Sequence, residues 1–219
     1  MGSLHLIRHG QTTSNVMARL DTRPPGAGLT DFGARQAVRF GLENPGVTPA
    51  GLYSSVARRA RETAELIGSV WGVQAQIVDG VHEVQVGPAM EDRNDDRSVR
   101  AFRDLIADWF DGDTARRVGD SESLDDVLAR YLPAVELLAE RHLDGPDAAG
   151  DVYLVSHGAA IRLIAAHLGA VDRGFAHDNG LPNTASIELA RVGDGWRCVH
   201  WGGVDPVRPT AAASVDPMG

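Results

Sequence analysis

The pattern of this chain predicts an α/β fold with a mainly parallel central sheet, on three observations. Short strand-like runs alternate with longer runs at helical spacing along almost the whole length. The 219 residues suit one domain of ordinary to large size. The 43% apolar share fills a sizeable core, and at 5% aromatic that core must be mostly Ala, Val, Leu and Ile.

Residues 4–7 form a first short strand. Thr30 N-caps a helix that runs to about residue 42 and stops at Asn44-Pro45-Gly46. A second strand covers 52–54, a strong helix covers 57–71 and closes at Gly72, and a third strand covers 74–78. The stretch 87–119 is charge-dense, yet Val99, Phe102, Arg103, Ile106, Trp109 and Phe110 recur at helical spacing, which predicts a small helical insertion. A long helix over 123–142 follows, then a buried strand at 152–155 and a helix over 159–168 ended by Gly169. Runs at 185–189 and 197–201 close the sheet, with Trp196 and Trp201 serving either core or interface. The Pro/Ala-rich tail from Pro206 is expected to be frayed.

A net charge of −9 argues against nucleic acid or an anionic membrane as partner, so an anionic substrate must be met by locally concentrated cations. There is no lysine, which excludes a P-loop and leaves every cationic side chain an arginine able to grip phosphate oxygens in bidentate fashion. The single cysteine, Cys198, excludes an internal disulfide and a multi-cysteine zinc site. His82, His142, His177 and His200 share no ligand-like spacing, so no metal is expected. Neither a signal peptide nor a run of about 20 apolar residues is read from the chain, and the cytoplasm is the expected location.

The chemistry-bearing signal is a matched pair. Leu4-His5-Leu6-Ile7-Arg8-His9-Gly10 and Val152-Tyr153-Leu154-Val155-Ser156-His157-Gly158 each read as a strand ending in His-Gly and opening toward a helix. Ligands of parallel sheets bind just beyond the carboxyl ends of strands, where helix N-termini offer free N–H groups. If the two strands are neighbours, both imidazoles face one crevice. Glycine after each histidine removes a Cβ and lets an oxyanion approach the backbone. In Ser55-Val56-Ala57-Arg58-Arg59-Ala60-Arg61-Glu62-Thr63, helical geometry sets Arg58 and Arg61 with Glu62 and Glu65 as ordinary i,i+4 pairs. Arg59 aligns instead with Thr63, Leu66 and Val70 on the inward side, where a buried charge needs an anionic partner.

These segments resemble the histidine phosphatase superfamily, in its phosphoglycerate-mutase-like branch. Arg8-His9-Gly10-Gln11-Thr12-x-x-Asn15 is similar to its signature, and Leu29-Thr30-x-x-Gly33-x-x-Gln36-Ala37 and Ser55-x-x-x-Arg59-Ala60-x-x-Thr63-Ala64 to its next motifs. Glu83-x-x-x-Gly87, Glu122-Ser123 with Arg130, Val155-Ser156-His157-Gly158-x-x-Ile161-Arg162 and Asn183-x-x-Ser186 complete the order over roughly residues 3 to 190. The resemblance implies a three-layer sandwich forming one domain over 1–205, with a helical cap insertion at about 88–120 and a flexible tail over 206–219.

It also implies a metal-independent phosphatase, needing no cofactor, that acts on a small phosphorylated metabolite. His9 would be the nucleophile, giving a phosphohistidine. Arg8, Arg59 and His157 would surround the phosphoryl oxygens. Asn15, Gln11, Gly158 and Ala159 would bind substrate. Glu83 would protonate the leaving oxygen, which requires it to carry a proton in the first step, and then activate water. Two departures lie beside the acid: Gly87 leads into Pro88-Ala89-Met90-Glu91-Asp92 where the family commonly has Gly-x-Trp-Glu-Gly, and His82 stands where Arg is frequent.

Two other functions fit the same residues: a cofactor-dependent phosphoglycerate mutase, and a non-catalytic phosphate-binding module. The short 20–26 loop favours hydrolysis over the mutase, and the complete set His9, Arg8, Arg59 and His157 disfavours the module. Substrate identity depends on the 16–28 loop and the 88–120 insertion. There Arg93, Arg97, Arg100 and Arg103 read as surface pairs of Asp92, Asp95, Asp96 and Asp104, the other use being contact with a second anionic group. The oligomeric state is left open.

Overall fold

The computed structural model describes residues 2–144, 148, 150–204 and 206. The elements run β1 (Ser3–Arg8), α1 (Thr13–Val16), α2 (Asp31–Glu43), β2 (Gly51–Ser54), α3 (Arg58–Trp71), β3 (Gln76–Ile77) and α4 (Asp96–Asp111), continuing as α5 (Leu124–His142), β4 (Val152–Ser156), α6 (Gly158–Leu168), α7 (Arg173–Asp178), β5 (Ser186–Val192) and β6 (Gly195–Trp201). They build a three-layer α/β sandwich on a single six-stranded sheet of order β3-β2-β4-β1-β5-β6. The first four strands in that order are parallel; β5 pairs antiparallel with β1, and β6 antiparallel with β5.

The central strands are short and apolar because both of their faces are covered. Leu4, Leu6, Val152 and Leu154 turn to one side and pack with Val135, Leu138, Ile161 and Ile164 of α5 and α6. Ile7, Leu52, Tyr153 and Val155 turn to the other and meet Ala60, Ala64 and Ile67 of α3 and Ala37 of α2. Pairing of β1 with β4 aligns Arg8 with Ser156, so the residues that follow each strand, His9 and His157, leave the sheet side by side.

Helix boundaries follow local chemistry. Thr30 caps α2 by accepting from the Gly33 amide, Gly72 ends α3 in the left-handed region, and Ser123 and Asp126 form a capping box on α5. The third strand is shorter than expected: only Gln76 and Ile77 pair, on an exposed edge. Helices α1 and α7, of four and six residues, were not expected from the pattern, since neither is long enough to show a period. In the charge-dense stretch, α4 turns Leu105, Ile106, Trp109 and Phe110 inward. Trp201 is core, its Nε1 donating to the Asn179 carbonyl, and Trp196 is half-buried beneath the Arg191 guanidinium. The tail expected over 206–219 lies outside the described residues except for Pro206.

Two glycines decide how closely α2 approaches the loop after β1. A Cβ on Gly33 would stand 2.0 Å from the Gln11 carbonyl oxygen, and one on Gly10 would stand 2.5 Å from that of Gly33. Gly33→Ala must therefore move backbone against backbone, and we expect a loss of about 1–3 kcal/mol in urea unfolding. Gly180→Ala, whose added methyl meets open space, is expected to change stability by less than about 0.5 kcal/mol.

Candidate active site

The site forms where β1, β4 and α3 converge at the carboxyl edge of the parallel strands. His9 follows β1 and is buried; its Nδ1–H donates to the Gly10 carbonyl at 2.7 Å, which fixes the tautomer and makes Nε2 the lone-pair nitrogen. His157 N-caps α6, with its ring centroid 5.2 Å from that of His9 and its Nε2 2.9 Å from the Ser55 hydroxyl. Arg59 enters from the first turn of α3, 2% exposed, and its Nε–H lies 3.2 Å from His9 Nε2 and 3.3 Å from His157 Nδ1. One guanidinium thus sits between two imidazoles, on the inward face expected for it.

Such a grouping imposes protonation states. Burial first, and then the positive charges of Arg59 and Arg8, hold His9 well below 6.5; burial and Arg59 do the same for His157. Both rings are neutral at physiological pH. The positive charge belongs to the arginines, and it is incompletely satisfied. Arg59 Nη1 is buried without a hydrogen bond, with only Asp21 Oδ1 near it at 3.6 Å. Arg8 donates through Nη1 to the Leu181 carbonyl at 2.6 Å, while its Nε is buried and unpartnered. Buried guanidinium N–H groups without acceptors are costly, and an anion between them would satisfy both.

The backbone around these side chains is tied in place. Thr63, one turn after Arg59, accepts from the Gly10 amide at 3.0 Å and donates to the Arg59 carbonyl at 2.7 Å. Asn183 donates to the His9 carbonyl at 2.9 Å and contacts Asn15 Oδ1 at 3.3 Å. Asn15 completes the capping box of α1. A cavity of about 300 Å³ opens above, lined by Arg8, His9, Asn15, Arg59 and Glu83 at its base.

Glu83 reaches the cavity from the loop after β3. Its carboxylate accepts from the Ala160 amide at 3.0 Å, the Ala159 amide at 3.2 Å and its own neighbour Val84 at 2.9 Å. The loop is held by Arg130 of α5, which donates to the carbonyls of Gly80, His82 and Glu83 and pairs with Glu122 at 2.7 Å. Glu122 in turn accepts from the Gln85 amide at 2.8 Å. The sequence marks Glu122 and Arg130 as part of the motif order but does not reveal this clamp, because eight residues on one chain say nothing about the loop they grip.

Two of the expected substrate contacts, Gln11 and Ala159, are already engaged within the protein. Gln11 turns away from the cavity: its side chain accepts from the Thr30 hydroxyl at 3.0 Å and its amide donates to Gln36 at 2.9 Å, so it fastens the start of α2. The Ala159 amide is occupied by Glu83. Gly158 lies beside Arg8, where an added Cβ would stand 3.1 Å from Nε, and it lines a neighbouring recess together with Arg162 and Leu181. The departure after Gly87 also has a use. Glu91 accepts from the Thr22 hydroxyl at 2.6 Å and from the Thr22 and Arg23 amides, locking the 20–23 loop against that segment. Among the described residues no group of three or more His, Cys, Asp or Glu could hold a metal ion, and no helix is long and apolar enough to cross a membrane.

Comparison with known proteins identifies the family. The family model of the histidine phosphatase superfamily (branch 1) matches residues 4–203. A glucosyl-3-phosphoglycerate phosphatase of Mycolicibacterium vanbaalenii is 31% identical over 190 residues, which is 85% of this chain and 83% of that protein. A PE-PGRS family protein of Mycobacterium tuberculosis is 33% identical over 85 residues, 38% of this chain and only 15% of its own length. The structure of a mycobacterial glucosyl-3-phosphoglycerate phosphatase complexed with VO3 superposes with a TM-score of 0.77 at 25% identity, covering 93% of this chain and 100% of that one.

The neutral imidazoles make stability depend on pH in a definite direction. Unfolded histidines take up protons near 6.5 while folded His9 and His157 do not until well below it. Their contribution is therefore full above 6.5 and is lost as pH falls, by about 1.4 kcal/mol per pH unit for each ring. Urea unfolding is expected to show falling stability below that point, with both ring ¹⁵N signals still those of neutral imidazole. Either ring titrating at 6.5 or above would contradict the assignment.

Proposed function

The chain belongs to branch 1 of the histidine phosphatase superfamily, and on that premise we propose that it is a phosphatase, hydrolysing the phosphate monoester of a small metabolite through a phosphohistidine on His9. The observation that carries this reading is the buried, neutral His9 with unpartnered guanidinium N–H groups of Arg8 and Arg59 in the same cavity. A neutral imidazole is a nucleophile, and fixed cations beside it stabilise the charge that spreads over the phosphoryl oxygens in the transition state.

The reaction has two displacements. His9 Nε2 gives up its contact with Arg59 and attacks phosphorus in line; the P–O bond to the leaving alcohol breaks as Glu83 gives that oxygen its proton. Arg8 and Arg59 hold the equatorial oxygens, and neutral His157 joins them by donating from Nδ1 once its Nε2 accepts from the Ser55 hydroxyl. Water then enters from the side vacated by the alcohol and passes a proton to the Glu83 carboxylate. Its oxygen bonds to phosphorus, and the P–N bond breaks to release inorganic phosphate and regenerate His9. The hydrogen bond from Nδ1 to the Gly10 carbonyl supports the imidazole through both steps by stabilising charge on the phosphorylated ring.

Hydrolysis rather than isomerisation is favoured by an open cavity bordered by the short 20–26 loop, which leaves water access to the intermediate. His9→Ala is expected to abolish release of phosphate from p-nitrophenyl phosphate, and Glu83→Gln to lower kcat by about 10²–10⁴-fold. Rapid quenching of the native enzyme should trap an acid-labile phosphoenzyme that His9→Ala lacks. Interconversion of 3- and 2-phosphoglycerate without net phosphate release would identify a mutase instead.

A further inference from the structure

Two carboxylates line the cavity, Asp21 and Glu83, and their oxygens are used differently. Both oxygens of Glu83 accept from backbone amides, those of Val84, Ala159 and Ala160. Asp21 commits only one. Its Oδ2 accepts from the Ala27 amide at 2.9 Å, while Oδ1 accepts no hydrogen bond among the described residues and stands 3.6 Å from the buried, unpartnered Nη1 of Arg59. The two side chains are 9% and 3% exposed, so solvent and salt screen them little.

The backbone fixes this near-contact. The Pro25 carbonyl accepts from the Arg58 amide at 2.8 Å, which ties the 20–27 loop to the first residue of α3. Gly26 closes over the pair: a Cβ there would stand 2.5 Å from Arg59 Nη1 and 2.6 Å from Asp21 Oδ1. Glu91 holds the intervening turn through Thr22 and Arg23. The carboxylate therefore sits a short displacement away from a charge-assisted hydrogen bond that it does not make. An oxygen of a bound anion can take that bond in its place.

Resting on the phosphatase reading, we infer that Asp21 is a positioning residue that competes with phosphate for Arg59 Nη1 and so speeds release of the product. In the empty site Asp21 is the counter-ion of Arg59. A phosphoryl oxygen that takes the Nη1 hydrogen bond brings a dianion beside the Asp21 carboxylate, and like charges repel. Ester and inorganic phosphate are then both held less tightly than two buried arginines alone would hold them. Tight ground-state binding does not raise the rate of the chemical step, whereas a product retained by Arg8 and Arg59 would limit turnover. An Asp21 that only orients Arg59 makes the reverse forecast: without it the guanidinium is misplaced and phosphate binds more weakly.

Calorimetric titration of inorganic phosphate separates the two roles. Asp21→Asn keeps the size of the side chain and an oxygen for the Ala27 amide, and it should bind phosphate about tenfold or more tightly than native enzyme. The KM for p-nitrophenyl phosphate and the inhibition constant for phosphate should fall by a similar factor, with kcat lower as release becomes limiting. Asp21→Ala should shift affinity in the same direction, and Asp21→Glu, which keeps the charge, should stay closer to native. Phosphate affinity unchanged or weakened in both neutral variants would overturn the proposal. Failure of both to fold would overturn it too, since the carboxylate would then serve assembly of the loop. The binding measurement needs no turnover. Tighter phosphate in Asp21→Asn, in a protein that hydrolyses no ester and traps no phosphoenzyme, would sink the phosphatase reading and leave the competition for Arg59 in place.

Discussion

The site depends on burying one guanidinium between two uncharged imidazoles. Arg59 cannot be removed from water without compensation, and the imidazoles beside it cannot ionise while it is there. Each condition supports the other. A protonated His9 would add a third positive charge to a pocket already holding Arg8 and Arg59. The pocket is thus electropositive through groups that do not titrate near neutrality, and it holds its imidazoles unprotonated.

That arrangement requires positional accuracy, which the fold provides through hydrogen bonds to backbone as much as through packing. In-register pairing of β1 and β4 sets His9 beside His157. Thr63 couples the loop after His9 to the helix that carries Arg59, so the imidazole and the guanidinium beside it are fixed to each other by one hydroxyl. Glu83 is positioned from both directions, by α6 amides on its carboxylate and by Arg130 on its backbone. The Arg130–Glu122 pair is better understood as a clamp on the 80–85 loop than as a contribution to stability, since the worth of a part-buried ion pair is offset by its desolvation.

The outer part of the cavity is built differently. Its walls are the 14–22 segment and α4, joined through backbone bonds between Leu20 and residues 92 and 93 and through the Glu91–Thr22 contact. These walls lie largely within the 16–28 loop and the 88–120 insertion, the regions on which substrate identity is expected to depend.

The sequence by itself determined the alternation of strands and helices, the caps at Thr30, Gly72 and Ser123, and the inward placement of Arg59. All of these are encoded within a few residues of where they act. It also indicated the His9–His157 pair, because each lies at the same place in a strand-to-helix unit. Short elements such as α1 and α7 stayed illegible, having too few residues to display a period. Only tertiary structure decided which side chains share space: that Gln11 faces α2 instead of the cavity, that Glu83 claims the Ala159 amide, and that Arg130 grips a loop about fifty residues away in the chain. Local pattern reports which face a residue occupies, whereas the partner on that face is set by how distant segments pack, and hydrogen bonds and charges act over only a few ångströms of that packing.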